Sequence, residues 1–252
     1  MNILITGASS GIGRALAQYY SNQDVTLFLC GRNSQALNDF KTSHLENKAN
    51  IYIKVLDVSD KKAANAWVKE IEKSHKIDLV IANAGISAGT SGGLEADQQI
   101  RKIFDVNLYG VLNVINPAVA AMKERGKGQV AIVSSLAGFR GLPSSPAYSA
   151  SKAAVRIYGE GLRGNLAQFG IKVNVICPGY VQTPMTAVND FYMPFLMKVD
   201  KAAEKIAIGI KKNKSRITFP FPLYFVVWFL SILPPSLTDR LFASLPKKKS
   251  ID

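Results

Sequence analysis

Tyr148 and Lys152 stand four residues apart in YSASK, a stretch of helical pattern, so their side chains share one helix face. A free phenol has a pKa of about 10, too high for easy proton exchange at neutral pH. A neighbouring ammonium favours the phenolate and brings it toward working range. Such a pair can protonate an alkoxide formed by hydride delivery to a carbonyl, or take the proton in reverse. Thirteen residues before Tyr148, Ser135 follows the apolar run QVAIVS, at the carboxyl end of an expected strand, where open α/β sheets place ligands. Its hydroxyl can hydrogen-bond a substrate carbonyl and the phenol oxygen. Ser134 is the neighbouring alternative, but the spacing to tyrosine favours Ser135. An amphipathic helix can also carry this tyrosine and lysine with no catalytic role, so their weight depends on what accompanies them.

A glycine turn, TGASSGIG, occupies residues 6–13 between an apolar run and the helical segment RALAQYYS. Gly7, Gly11 and Gly13 take backbone geometries closed to other residues and let a pyrophosphate approach a helix N-terminus, whose free N–H groups attract anions. Ser9, Ser10 and Ile12 fill the same turn and belong to the same candidate site. After the second apolar run, Arg32 stands where an NAD-preferring protein places a carboxylate on the ribose 2′-hydroxyl. A guanidinium suits a 2′-phosphate, which favours NADP over NAD; the plainer reading is that Arg32 starts a solvated helix.

The segment SSLAGFRGLPSSPAYSASK, residues 134–152, closely resembles the active-site stretch of the short-chain dehydrogenase/reductase family. Matched residue by residue, the resemblance implies Ser135 as the carbonyl-orienting serine, Tyr148 as general acid/base, and Lys152 as the ribose-binding lysine that lowers the phenol pKa. It implies that Asp57 contacts the adenine, with Val58 beside it in the cofactor site, and that Asn83, Ala84 and Gly85 turn alongside the cofactor. Asn107, in FDVNLYG, resembles the asparagine that holds a water relay to the lysine. Pro178 and Gly179, with Val181 and Thr183, resemble the segment that contacts the nicotinamide amide. Taken singly, each has a bland reading as a helix cap or a turn. Six elements in family order from residue 6 to 184 cover about three-quarters of the chain; the one minor departure is Ala82, where many members carry a second asparagine. The activity implied is an NADP-dependent oxidoreductase acting between a secondary alcohol and a ketone or aldehyde, commonly as a homo-oligomer. The rival is an NADP-binding redox sensor or membrane-associated scaffold without turnover, which has no need of Ser135, Tyr148 and Lys152 together.

Positioning these residues requires strands that end together. Apolar runs at 2–6, 25–30, 51–56, 78–82, 129–134, 172–177 and 216–219 alternate with helical stretches. They predict an α/β, doubly wound, seven-stranded, mainly parallel sheet of Rossmann type, with helices on both faces. No repeat or linker divides the chain, so residues 1–252 are expected as one domain. Residues 87–93 read as a loop on the active-site side, with helical pattern resuming by Leu94.

Resemblance fades after about residue 186, leaving 186–252 as a variable lid and apolar extension. TAVNDFYMPFLMK, residues 186–198, either covers an apolar substrate or packs on the core. Residues 219–233, FPFPLYFVVWFLSIL, are too short to span a bilayer as a helix. They read as a peripheral membrane contact, extended by Leu241, Phe242 and Lys247 to Lys249, or else as a subunit or core interface. Thirty-one basic against eighteen acidic residues give a charge of +13, yet no recognition motif accompanies it, which argues against nucleic acid. Cys30 and Cys177 lie in apolar runs and are expected as packed, reduced thiols; His44 and His75 fall on polar helices, and no metal spacing is present. No export signal precedes the strand at Asn2, so the expectation is a cytoplasmic protein, at the cytoplasmic membrane face if the tail binds lipid.

Overall fold

The computed structural model describes residues 1–243, 246 and 248–250. Its seven strands are β1 (Asn2–Thr6), β2 (Thr26–Gly31), β3 (Asn50–Val55), β4 (Leu79–Ala82), β5 (Gly128–Val133), β6 (Ile171–Pro178) and β7 (Arg216–Phe219). They form one sheet in the order β3-β2-β1-β4-β5-β6-β7, and every neighbouring pair is parallel. Every expected strand is present, displaced at either end by one residue at most.

Side chains alternate across β1: Ile3 and Ile5 enter one apolar cluster and Leu4 the other. Helices α1 (Gly11–Ser21) and α2 (Ser34–Ser43) send Leu16, Leu37 and Phe40 into the first cluster. On the opposite face, α3 (Lys61–Ser74) contributes Trp67 and Ile71 to the second. Helix α4 (Asp97–Phe104) begins three residues later than the expected Leu94. It continues through a π-helical turn, Asp105–Tyr109, into α5 (Gly110–Glu124). This stretch of 28 residues is apolar and long enough to cross a membrane by composition, but half of its apolar window is packed inside the protein. Helix α6 (Pro146–Ala167) joins it on the second face, a short α7 (Pro184–Ala187) follows β6, and α8 (Val199–Lys211) returns to the first.

Both cysteines are free and buried, and burial pushes each thiol up to about 12. The histidines are half-buried at the ends of α2 and α3 rather than exposed, because their rings pack on aromatic neighbours: His44 stacks on Phe40 and His75 sits edge-on to Phe28. Among the described residues no group could hold a metal ion.

After β7 the apolar run forms α9 (Phe221–Ile232), in which no residue is buried. Leu223 and Tyr224 pack beside Leu136, Val175 and Cys177, and Arg216 reaches the Tyr224 hydroxyl at 3.3 Å. Phe221, Phe225, Val226, Trp228, Phe229 and Ile232 are exposed. Within 219–233 the core-contact reading therefore holds for Phe219, buried in the first cluster at the end of β7, and for Leu223 and Tyr224. The next helix, α10 (Pro235–Ala243), is held differently. Phe242 is buried with the Arg140 guanidinium 5.0 Å above its ring, and Arg140 donates to Asp239 at 2.9 Å. Phe242 is thus a packing residue and not part of an exposed lipid-facing cluster.

Candidate active site

At the carboxyl ends of the strands lies a cavity of about 310 Å³. Every residue singled out for cofactor or catalysis lines it except Gly13 and Asn107, which stand directly behind it. It opens beside the point between β1 and β4 where strand order reverses, the usual ligand crevice of such sheets.

The glycine turn forms the floor. Gly7 and Gly11 have φ of +66° and +54°, in the left-handed region that favours glycine. A Cβ on Gly13 would run into the Gly7 carbonyl, so α1 approaches the turn as closely as backbone allows. Ser10 precedes α1 without a side-chain cap, and the first turn of that helix borders the cavity with N–H groups suited to an anion. Asn83 fixes the turn from the next strand: its amide donates to the Thr6 carbonyl at 2.9 Å, while its own N–H and that of Ala84 donate to the Thr6 hydroxyl at 3.0 Å. Thr183 faces Gly11, where an added Cβ would meet it at 3.3 Å. A glycine-rich cradle at a helix N-terminus, with Ser9, Ser10 and Ile12 between its glycines, fits a dinucleotide pyrophosphate.

At the other end of the cleft Arg32 and Asp57 approach to 3.8 Å, both substantially exposed. Arg32 lies before α2 and not in it; Asn33 caps that helix by accepting from the Ala36 N–H at 2.9 Å. Burial opposes ionisation of Asp57, but the Ser59 N–H and hydroxyl, with Arg32 nearby, outweigh it and hold the carboxyl below its ordinary value.

Tyr148 and Lys152 sit in the first turns of α6, beside the end of β5. The Ser134 hydroxyl is committed to the Lys152 carbonyl at 2.7 Å, which leaves Ser135 as the serine available to a ligand. Lys152 is buried, its ammonium donating to the Val133 carbonyl at 3.0 Å and lying 5.9 Å from the Tyr148 ring centroid. Burial governs both groups: it pushes the Tyr148 phenol above its ordinary value, against the Ser135 hydroxyl, and pulls the Lys152 ammonium down to about 8. The expected depression of the phenol by Lys152 is therefore absent, because the same dry surroundings penalise both charged forms.

Asn107 lies in the π-helical turn, a distortion frequent at functional sites. Fully buried, it accepts from the Ile86 N–H at 2.8 Å and donates to the Ile86 carbonyl at 2.9 Å and the Ser151 hydroxyl at 3.0 Å. Its amide oxygen and the Lys152 ammonium would each lie 3.2 Å from a Cβ on Gly85, so the two meet at this glycine. The extra residue in the turn is invisible to hydropathy periodicity, which does not register a slipped hydrogen bond.

Lys248, which its sequence groups with two equivalent cations, is turned toward Tyr148. The Lys248 ammonium donates to the Ser87 hydroxyl at 2.6 Å and lies 5.4 Å from the Tyr148 ring centroid. Lys249 pairs with Asp190 at 3.2 Å, and Lys247 lies outside the described residues. The basic cluster thus does not act as a unit facing lipid, because Lys248 turns inward. Nothing in KKK distinguishes its middle member; only the fold does. In the expected lid, Val188, Tyr192 and Phe195 are exposed, while Met197 pairs through its backbone with Tyr180 and Gln182.

The short chain dehydrogenase family model matches residues 1–190. An uncharacterized oxidoreductase of Myxococcus xanthus is 35% identical over 94% of both chains. Dehydrogenase/reductase SDR family member 7B of Mus musculus is 30% identical, covering 98% of this chain and 81% of its own. Among solved structures, a 3-oxoacyl-[acyl-carrier protein] reductase from Brucella melitensis superposes with a TM-score of 0.77 at 29% identity, over 88% of this chain and 91% of that one. A short-chain dehydrogenase from Sphingobium yanoikuyae in complex with NADPH shares the fold, with a TM-score of 0.82 at 22% identity over 100% and 98%. Glycine cradle, strand-end serine and helix-borne tyrosine and lysine, in a chain matched over most of its length, make this protein a member of the short-chain dehydrogenase/reductase family of oxidoreductases.

Proposed function

We propose that the protein is an NADP-dependent oxidoreductase interconverting a secondary alcohol and a ketone or aldehyde, with Tyr148 as general acid/base. The observation that carries this is the convergence of Ser135, Tyr148 and Lys152 on one cavity with the glycine cradle. When bound, the nicotinamide cofactor supplies or accepts the hydride at the substrate carbon. Ser135 holds the carbonyl oxygen, and Tyr148 gives that oxygen its proton in reduction or removes it in oxidation. Lys152 holds the cofactor ribose, and Asn107 steadies the loop beneath it. A panel of carbonyls and alcohols followed by NADPH absorbance tests this reading; no turnover across the panel favours a redox sensor or scaffold instead.

The case for NADP rests on Arg32 at the rim of the cleft. Relatives do not decide it, since one neighbouring structure is titled with NADPH and a 3-oxoacyl-[acyl-carrier protein] reductase from Brucella melitensis with NAD. Replacing Arg32 by Ser removes one charge-assisted contact with a 2′-phosphate. It should raise KM for NADPH by roughly 10- to 100-fold and change KM for NADH little. Equal effects on both cofactors would remove the assignment.

A peripheral membrane contact is favoured by the exposed apolar side of α9. The helix has 12 residues, about 18 Å, too short to cross a bilayer core of about 30 Å but able to lie in its interface. Replacing Phe225 and Phe229 together by Ser should lower co-sedimentation with anionic vesicles about tenfold or more. Equal partition, with a smaller particle by light scattering, would make this face a contact between copies of the chain. Residues 186–198 are read as the substrate-covering segment, since they continue directly from Thr183.

A further inference from the structure

Residues 248–250 lie along the loop Gly89–Ser91 as a strap. Gly89 N–H donates to the Lys249 carbonyl at 2.6 Å, Ser91 N–H to the Lys248 carbonyl at 2.9 Å, and Ser250 N–H to the Ser91 hydroxyl at 2.8 Å. A Cβ on Gly89 would run into the Lys248 backbone, so a glycine is needed for this approach. Helix α10, which ends at Ala243, is itself fixed by Phe242 beneath Arg140.

The strap delivers an ammonium to the reacting tyrosine. Lys248 lies 5.4 Å from the Tyr148 ring centroid, nearer than Lys152 at 5.9 Å. An ammonium has three donors, and Ser87 takes one of them. Among the described residues no carboxylate pairs with Lys248: Asp190 is engaged by Lys249, and Glu95 accepts from the Ala147 N–H at 2.8 Å. The other titratable groups around Tyr148 are Lys152, turned to the Val133 carbonyl, and the neutral phenol of Tyr180. Burial pulls Lys248 down to about 8, consistent with a cation short of solvent and of a counter-ion.

A neutral ketone placed beside Tyr148 would enclose this ammonium further with no carboxylate partner among the described residues, an arrangement proteins avoid. A carboxylate on the substrate would complete it. Resting on the oxidoreductase reading above, we propose that Lys248 is a specificity-determining residue that binds a carboxylate of the carbonyl substrate, which makes oxo acids and the corresponding hydroxy acids the substrate class. This replaces the expectation of a wholly apolar substrate: the lid can still cover an alkyl chain, but the group near the phenol is anionic.

The test compares straight-chain oxo acids with their methyl esters, using full-length wild type, Lys248→Met and Lys248→Arg with NADPH. In wild type, kcat/KM should favour the acid by at least about tenfold. Lys248→Met should reduce the acid-to-ester ratio by roughly 10- to 100-fold, the effect of one charge-assisted hydrogen bond, and Lys248→Arg should largely restore it. An unchanged ratio in the Met variant overturns the proposal, as does faster turnover of acid and ester alike, which would make the strap a plug. A second readout does not need turnover: heptanoate binding, by calorimetry, with and without NADPH. Binding that Lys248→Met abolishes supports a carboxylate site even if no carbonyl is reduced, in which case only the oxidoreductase reading falls. Binding that is equal in wild type and the Met variant, or absent from wild type, overturns it.

Discussion

Tyr148→Phe should lower kcat about 100- to 10,000-fold, the range that general acid/base catalysis supplies, with little change in Kd for NADPH. The substitution removes one hydroxyl from a half-buried ring and leaves Ser135, Lys152 and the glycine cradle in place. Turnover retained at the wild-type level would defeat the mechanism. The direction of the phenol's shift adds a pH signature. Because burial raises Tyr148 above its ordinary value, the acid form persists through the neutral range. Carbonyl reduction should therefore stay level there and decline only at high pH, whereas alcohol oxidation should climb with pH as the phenolate forms.

Lys152→Met should separate stability from activity. The fall of the ammonium from 10.5 to about 8 corresponds to about 3 kcal/mol lost to burial of its charged form at pH 7. Methionine removes that penalty and orphans the Val133 carbonyl, a loss of about 1 kcal/mol. The net gain of about 2 kcal/mol should raise Tm by roughly 4–8 °C, while kcat falls at least about 100-fold. The sign reverses as pH rises: native Lys152 releases its proton near 8 and the unfolded chain only near 10.5. Between those values the unfolded state holds more protons, so wild-type stability increases with pH and the variant loses its advantage. Calorimetry at pH 7 and pH 10 measures both; a variant less stable at pH 7 would show that Lys152 is a structural tie first.

The fold and the cofactor half of the site were legible because they depend on local pattern. Buried parallel strands read as continuous apolar runs, and 25–30 or 172–177 could be placed before any pairing was known. Gly7 and Gly11 announce their turn because its left-handed backbone favours glycine, and Gly13 because a Cβ there would strike the Gly7 carbonyl. What escaped depends on distant partners. The Tyr148 shift follows from how much protein surrounds the phenol, which a four-residue spacing cannot report. Lys248 looked like one of three equivalent surface cations, and Phe242 like part of an apolar cluster, until Arg140 and Ser87 were brought against them. The aromatic run of α9 was recognised as unusual, and the fold leaves most of it uncovered; its occupant is a matter of surroundings rather than of sequence.

Lys248 and Ser87 are separated by 161 positions, so their hydrogen bond joins segments made at widely separated stages of translation. Domains tend to fold from the N-terminus as they emerge, and the glycine cradle, the tyrosine helix and all seven strands precede residue 220. The nascent protein can therefore assemble the glycine cradle and the tyrosine helix before the segment that carries Lys248 has emerged, and the contact between Lys248 and Ser87 closes after them.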